Sequence, residues 1–380
     1  MAQINDVQML LFRSRLLLEE GQADKALPLL EAIRTDNEKE QQEIAYLLGW
    51  CYISSKRWED AAKVLSPLPK FVEGDGGEES RIDRVHLAHS LLRLGMAAVN
   101  LCQFEDASRH YLRCLKVLQS KKIQLPEAKL KARYGLAMTY LMRGLPAAAI
   151  QHYELALGLC LYLDDDEEIG NIYYGLCQAY IRSGKLIDAQ LAGVKALGLY
   201  ERCANREMEG ETRNMLGQIY LQLGDYRAAS DHLTEALSLA ASQSNAKLIM
   251  INCAALADVR LTEGRLDEAR RYCLRALENI DHIKHKDSYL ESITYLECGK
   301  VAQAEAQQAE GEQRQRLLEE ALAWFEKAQV GFSPTQAYYE VSELYGRWAQ
   351  VLEQLGRYEE AIACWKSGYE ALSGANGPAL

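Results

Sequence analysis

The sequence predicts an all-α fold, a solenoid built from about nine helical hairpins. Two observations support this prediction. The 380 residues include only seven prolines and few clusters of Ile, Val and Thr, so helix is favoured over strand. One residue pattern also recurs along nearly the whole chain with a period close to 40 residues. Internal repetition at such a period is typical of repeat architectures.

The clearest copy of the repeat is LGQIYLQLGDYRAASDHLTEALSLA, residues 216–240. Its apolar residues recur at i, i+3, i+4 and i+7, the spacing of a helix with one buried face. Gly224 stands where the first helix must end, because a left-handed backbone costs glycine nothing. We expect Gly217 and Ala229 to be small because the two helices of the hairpin approach closely there.

The alanine equivalent to Ala229 marks the register of the nine copies: Ala26, Ala61, Ala107, Ala149, Ala189, Ala229, Ala269, Ala321 and Ala361. The hairpins are therefore expected at about residues 5–35, 41–69, 84–119, 127–163, 165–204, 206–244, 246–284, 287–331 and 335–373. One hairpin cannot bury its own apolar stripe, but a neighbouring hairpin can cover it. We therefore expect one array that spans residues 1–380.

Three segments need a separate interpretation. The acidic, glycine-rich segment 70–83 is predicted to be a flexible surface loop. In the eighth copy, extra helix-forming residues precede Ala321, and they are expected to lengthen the tip of that hairpin. The acidic run LDDDEEIG, residues 163–170, lacks the central glycine and terminal glutamate of a calcium loop. It is expected to cap the start of a helix.

The combined pattern, small-x2-Tyr-x3-Gly-x-aromatic-x2-Ala, resembles the tetratricopeptide repeat. The resemblance implies a right-handed superhelical solenoid in which the first helix of each hairpin lines a concave groove. The usual unit has about 34 residues, so the longer unit here implies helices that are longer by up to a turn. Similar long units occur in the sensor arrays of bacterial signal-responsive regulators and in some eukaryotic adaptors.

Composition argues against nucleic-acid and membrane partners. The net charge of −11 disfavours direct contact with nucleic acid, which needs clustered Lys and Arg. No stretch approaches the roughly 18 apolar residues of a membrane span, and no basic leader segment opens the sequence. Ten cysteines stand singly, without a CxxC pair, as in proteins of a reducing compartment. We therefore expect a cytoplasmic protein.

The motif search favours a protein without enzyme activity. Nucleophile elbows, dinucleotide-binding glycine motifs and phosphate loops are absent from the sequence. The pairs His86 with His89 and His282 with His285 have helical spacing, but no Cys or Asp completes a metal site. We therefore predict no catalytic residue, no metal and no cofactor.

The groove implied by the family resemblance carries aromatic and amide side chains in the middle of the chain. They are Tyr134, Met138, Asn171, Tyr174, Gln178, Asn214 and Gln218. Amides donate and accept hydrogen bonds at once, and tyrosines combine apolar area with a polar tip, so this lining suits an extended peptide. In the alternative interpretation they are ordinary residues of a solvated face, with Tyr134 and Tyr174 packed between repeats.

The leading hypothesis is a non-enzymatic scaffold that binds a protein or an extended peptide in this groove. The alternative is a ligand- or peptide-sensing module of a bacterial transcription regulator whose DNA-binding domain lies outside this chain. Some tetratricopeptide proteins hold chaperone carboxylates through a clamp of Lys and Asn residues. Here Lys131 alone matches one clamp position, so a chaperone partner is not favoured.

Trp365 and Tyr369 lie on the second helix of the last hairpin, at positions that pack against a following repeat in inner copies. After Leu372 no further helix is predicted to cover them. We expect a partly exposed aromatic patch that contributes to a homodimer or contacts a protein partner. In the alternative, both aromatics fold back onto the first helix of their own hairpin, near Trp348.

Overall fold

The computed structural model describes residues 6–68, 79–119, 125–160, 165–283, 287–332 and 338–375. In these ranges the chain forms eighteen α-helices and no strand, which confirms the all-α prediction. In chain order the helices are α1 (Asp6–Glu19), α2 (Ala23–Ala32), α3 (Glu38–Ser54), α4 (Trp58–Leu65), α5 (Glu79–Asn100), α6 (Phe104–Val117), α7 (Pro126–Met142), α8 (Pro146–Cys160), α9 (Asp166–Arg182), α10 (Leu186–Arg202), α11 (Arg206–Gln222), α12 (Tyr226–Ser242), α13 (Ala246–Thr262), α14 (Leu266–Ile280), α15 (Ser288–Gln308), α16 (Gly311–Gln329), α17 (Tyr338–Gln354) and α18 (Tyr358–Ala375).

The helices pair into consecutive hairpins, each made of an odd-numbered helix and the even-numbered helix after it. The chain divides into two compact units, Met1–Leu199 and Tyr200–Leu380, and the boundary falls inside α10. Within each unit, successive odd-numbered helices also lie side by side. We call the surface made by these odd-numbered helices the first-helix face of that unit.

The hairpin of α11 and α12 shows why the repeat needs its small residues. A Cβ atom at Gly217 would lie 2.5 Å from Cγ of Leu233 and 3.4 Å from the carbonyl oxygen of Ala229, and Ala229 is fully buried. The predicted close approach of the two helices is therefore confirmed, with the Leu233 side chain filling the space. Gly224 has a φ of +79° after the end of α11, as expected for a left-handed turn residue.

Two of the three irregular segments behave as predicted. Asp165 caps α9, since its carboxylate accepts a hydrogen bond of 3.1 Å from the backbone N–H of Glu168. The eighth hairpin has long helices, with 21 residues in α15 and 19 in α16. The predicted loop at 70–83 needs a correction: residues 70–78 lie outside the described part of the chain, but residues 79–83 belong to α5. No helix in the described ranges is long and apolar enough to cross a membrane.

Candidate functional site

The candidate site consists of two rows of side chains on the first-helix faces. The first helices from α7 to α17 each have a small residue that marks the register. These residues are Ala137, Cys177, Gly217, Ala257, Gly299 and Ala349. The residues three before this position are Tyr134, Tyr174, Asn214, Ala254, Leu296 and Gly346. The residues one after it are Met138, Gln178, Gln218, Asp258, Lys300 and Gln350. Because first helices lie side by side within a unit, equal positions form rows across that unit.

The first unit holds five of the predicted residues. Tyr134 and Met138 lie on α7, and the other three, Asn171, Tyr174 and Gln178, lie on α9; all five are half-buried. The ring of Tyr134 meets the buried ring of Tyr153 edge to face, with 5.8 Å between their centroids. Burial, with a smaller effect of the Glu168 carboxylate, raises the pKa of Tyr134. Tyr134 therefore packs against the second helix of its own hairpin, whereas the alternative interpretation had it packed between repeats.

The second unit holds Asn214 and Gln218, which are hydrogen-bonded to each other on α11. Gln218 Nε2 donates to Oδ1 of Asn214 at 3.1 Å, and Asn214 Nδ2 donates to Oδ1 of Asn252 at 3.0 Å. Asn252 lies fully buried on α13, where its Nδ2 donates to the carbonyl oxygen of Leu248 at 2.8 Å. Three side-chain amides thus link two neighbouring first helices.

Further along the same face, three carboxylates surround a buried ammonium group. The Nζ atom of Lys300 lies 2.6 Å from a carboxylate oxygen of Asp258, 3.0 Å from Glu297 and 3.4 Å from Glu343. We call these four residues, Asp258, Glu297, Lys300 and Glu343, the Lys300 cluster. Lys300 and Glu297 are buried, whereas Asp258 and Glu343 are partly exposed. The cluster joins α13, α15 and α17.

The pKa values in the Lys300 cluster are shifted by burial and by the neighbouring charges. Burial, which outweighs the attraction of Lys300, raises the pKa of Glu297 from 4.5 to about 8. The Oε2 atom of Glu297 has no hydrogen-bond partner within the described part of the chain. Burial lowers the pKa of Lys300, but Glu297 and Asp258 raise it more, so the net pKa lies above its usual value. The ammonium group therefore stays charged.

Sequence reasoning missed Asn252 and the Lys300 cluster. The signal for Asp258 and Lys300 was present, because the row of Gln218 continues to them with the register of the repeat. For Asn252 the only signal was an amide within the apolar stretch LIMINCAALA, residues 248–257.

Trp365 is held by its own hairpin. Its indole N–H donates to Glu353 of α17 at 2.9 Å, and its ring lies 3.5 Å from where a Cβ of Gly346 would stand. Trp365 is 43% exposed and Tyr369 is 74% exposed. An open cavity of about 480 Å³ adjoins this hairpin and is lined by Gln350, Glu353, Gln354 and Tyr358. None of the predicted peptide-binding residues lines it.

The histidines form no metal site in the described part of the chain, where no three His, Cys, Asp or Glu side chains are placed to hold an ion. His86 stacks on Tyr46 with 4.5 Å between ring centroids. Burial, together with the smaller effects of the Arg93 and His86 charges, lowers the pKa of His89 to about 4. His285 lies outside the described residues.

Family models of the tetratricopeptide repeat match residues 17–76, 92–160, 168–242, 214–282 and 342–368. The chain belongs to the tetratricopeptide repeat family. No curated protein matches the chain in sequence.

Solved structures with the same tetratricopeptide fold align over almost the whole chain. The apo form of RapI has a TM-score of 0.72 at 13% sequence identity, covering 98% of this chain and 99% of RapI. The apo form of the quorum sensor NprR from B. thuringiensis has a TM-score of 0.67 at 15% identity, covering 97% and 99%. A Rap protein complexed with competence and sporulation factor has a TM-score of 0.58 at 14% identity, covering 97% and 98%. At these identities the likeness establishes the fold.

Proposed function

We propose that this tetratricopeptide repeat protein binds an extended peptide, or an extended segment of a partner protein, on its first-helix faces. The observation that carries the proposal is the regular placement of polar and aromatic side chains at equal positions of successive first helices. Packed helices lie about 8–10 Å apart, and an extended chain advances about 3.3 Å per residue. One helix step therefore matches about three residues of a bound peptide.

The chemistry of the rows also suits a peptide. The amides of Gln178, Asn214 and Gln218 can bond to the N–H and C=O groups of a peptide backbone, whatever its sequence. Tyr174 and Met138 offer apolar area to peptide side chains. The ammonium group of Lys300 is bonded to carboxylates on three helices, so we assign the cluster to holding these helices together and propose binding without catalysis.

The test is a selection of peptides against the full chain. A random heptapeptide library displayed on phage is panned on the immobilised protein, and the enriched peptide is synthesised with a fluorescent label. Its Kd is measured by fluorescence anisotropy with wild type, Gln178→Ala, Gln218→Ala and the control Asp231→Ala, which changes an exposed residue of the second helix α12. A peptide bound on the first-helix face of one unit should bind about three- to ten-fold more weakly when the amide of that unit, Gln178 or Gln218, is removed.

The control variant should bind like the wild type. If no peptide is enriched, or if the enriched peptide binds Gln178→Ala and Gln218→Ala as tightly as wild type, the first-helix faces are not the peptide site.

A second candidate function, peptide sensing for a transcription regulator, is favoured by the likeness to the quorum sensor NprR and to the Rap protein complexed with competence and sporulation factor. A sensor must change its conformation when the peptide binds, whereas a scaffold need not. Small-angle X-ray scattering with and without saturating peptide separates the two. A changed radius of gyration supports sensing, and an unchanged value supports a scaffold.

A further inference from the structure

The buried amide of Asn252 has only one chemically acceptable orientation. Its Nδ2 donates to the carbonyl oxygen of Leu248 at 2.8 Å, and a carbonyl oxygen can only accept. The flipped amide would place two oxygens against each other in a site that water does not reach, since Asn252 is fully buried. The Oδ1 atom of Asn252 must therefore face α11.

The orientation of the Asn252 amide determines the orientations of the next two amides, those of Asn214 and Gln218. Because Asn214 meets an oxygen of Asn252, it must present its Nδ2, at 3.0 Å. Its Oδ1 is then left to accept from Nε2 of Gln218, at 3.1 Å. Gln218 is exposed, and its Oε1 has no hydrogen-bond partner among the residues that the structure describes. The three bonds therefore leave the Oε1 atom of Gln218 as the free acceptor at the end of this chain of amides, beside the second N–H of its Nε2 group.

The same bonds leave a donor beside this acceptor. The Nδ2 group of Asn214 carries two protons, and its bond to Asn252 uses one of them. Gln218 and Asn214 thus offer one acceptor and one donor on neighbouring turns of α11. The N–H and C=O of one residue in an extended chain point to the same side, as they do in a strand pair. The pair on α11 is complementary to that arrangement.

We propose that Asn252 is a positioning residue that fixes Gln218 as a hydrogen-bond acceptor for a main-chain N–H of the bound peptide. This inference rests on the proposed peptide binding and adds the direction of one hydrogen bond. At α11 the ligand must donate a backbone N–H to Gln218. Without Asn252, the amides of Asn214 and Gln218 can flip together, and the acceptor is no longer fixed.

Asn252→Thr is a suitable variant because the fold already accepts threonine at this register. Thr212 and Thr294 occupy the equivalent positions in α11 and α15, both buried, and their hydroxyls donate to the carbonyl oxygens of Met208 at 2.7 Å and Leu290 at 3.1 Å. A threonine at 252 can make the same bond to Leu248. Its hydroxyl is one bond shorter than the Asn amide, so the bond to Asn214 is lost.

The probe is the heptapeptide enriched by the selection described above, made in seven forms that each carry one N-methylated backbone amide. With wild type, one N-methyl position is expected to weaken binding about three- to ten-fold through loss of the bond to Gln218. With Asn252→Thr, the unmethylated peptide should bind about three- to ten-fold more weakly, and that N-methyl position should cost less than about two-fold.

A rescue variant separates positioning from a general structural effect. Glutamate at 218 offers only acceptors, so adding Gln218→Glu to Asn252→Thr should restore both the affinity and the sensitivity to N-methylation. If Asn252→Thr is folded by circular dichroism and leaves the Kd and the N-methyl pattern unchanged, Asn252 has no positioning role.

A second comparison, between wild type and Gln218→Ala, leaves Asn252 intact. It tests the proposal even if Asn252→Thr does not fold. In Gln218→Ala, the sensitive N-methyl position should cost less than about two-fold, and an undiminished cost would overturn the proposal. A peptide that binds through the first-helix faces, but in which no N-methyl position depends on Gln218, defeats this inference alone. Failure to enrich any peptide defeats the proposed function as well.

Discussion

At the residue scale, the buried charges of the Lys300 cluster are the most consequential feature that sequence reasoning missed. Lys300 bonds carboxylates on three first helices. Such a cluster is costly to bury but also costly to break, because removing one partner leaves another charge unpaired. Glu297 shows the cost of burial, because burial raises its pKa to about 8 despite the attraction of Lys300.

We expect Glu297→Gln to change how stability depends on pH. In the unfolded chain Glu297 loses its proton near pH 4.5, whereas in the folded chain it keeps the proton up to about pH 8. Between these values the unfolded state binds fewer protons, so this residue lowers stability as pH rises. Glutamine does not titrate, so the free energy of unfolding of the variant, relative to wild type, should increase from pH 5 to pH 8.

Urea unfolding at pH 5, 6.5 and 8 measures this difference. Glu359→Gln, at an exposed carboxylate of α18, is the control and should follow the wild-type profile. Parallel profiles for wild type and Glu297→Gln would show that Glu297 is ionised in the folded protein across this range.

The residues of the candidate site were predictable to different degrees. A repeat register places Asp258 and Lys300 in the same row as Gln218, because equal positions of side-by-side helices align. The register does not tell whether a side chain packs inward, as Tyr134 does against Tyr153. Nor could it predict the role of Asn252, which depends on the distance between two helices and on the rotamers of three amides.

At the element scale, the seam between α11 and α12 tests the repeat register. Ala229 is fully buried, and its carbonyl oxygen lies 3.4 Å from where a Cβ of Gly217 would stand. We expect Ala229→Leu to overpack this seam and to lower the free energy of unfolding by about 1–3 kcal/mol. Thermal or urea unfolding followed by circular dichroism measures the change. The control Arg227→Leu changes an exposed residue of the same helix and should be nearly neutral. Equal effects of the two variants would contradict the close packing of α11 and α12 at Ala229.

The last helix, α18, carries an exposed apolar stripe that we propose as a self-association surface. Tyr358, Ile362 and Tyr369 are each more than half exposed, whereas Trp365 is bonded to Glu353 of its own hairpin. The stripe, rather than Trp365, is therefore the part available to a second copy of the chain. The proposal predicts a wild-type dimer in sedimentation and a monomer for Ile362→Ser with Tyr369→Ser.

Trp365→Phe serves as the control for this stripe because it removes only the bond to Glu353, and it should remain dimeric. A monomeric wild type, or a double variant that is folded and still dimeric, would contradict the proposal.

Helices were more predictable than their boundaries. The glycine and alanine markers set each hairpin because they mark where two helices approach and where the chain turns, as Gly217 and Gly224 do. The start of α5 at Glu79 was not predicted, because the glycines before it suggested a loop through residue 83. The prediction of one continuous array from 1 to 380 stays a prediction.

At the scale of the whole molecule, contacts are local. Within each of the two units, Met1–Leu199 and Tyr200–Leu380, helices pack against their hairpin partners and against neighbours one or two helices away along the chain. Such a protein has stability that is roughly a sum of repeat and nearest-neighbour contributions. The buried apolar groups follow this pattern, since each cluster draws on neighbouring hairpins rather than on distant segments.

We therefore expect unfolding that does not follow a single two-state transition. In a urea titration, circular dichroism should give a broad or stepped curve. Hydrogen exchange read by mass spectrometry should show peptides from Met1–Leu199 and from Tyr200–Leu380 losing protection at different urea concentrations. Ala229→Leu sharpens the test, because it should shift the transition of peptides in Tyr200–Leu380 and leave those of α1 to α8 nearly unchanged. One sharp transition shared by all peptides, and shifted as a whole by Ala229→Leu, would mean that the two units unfold together.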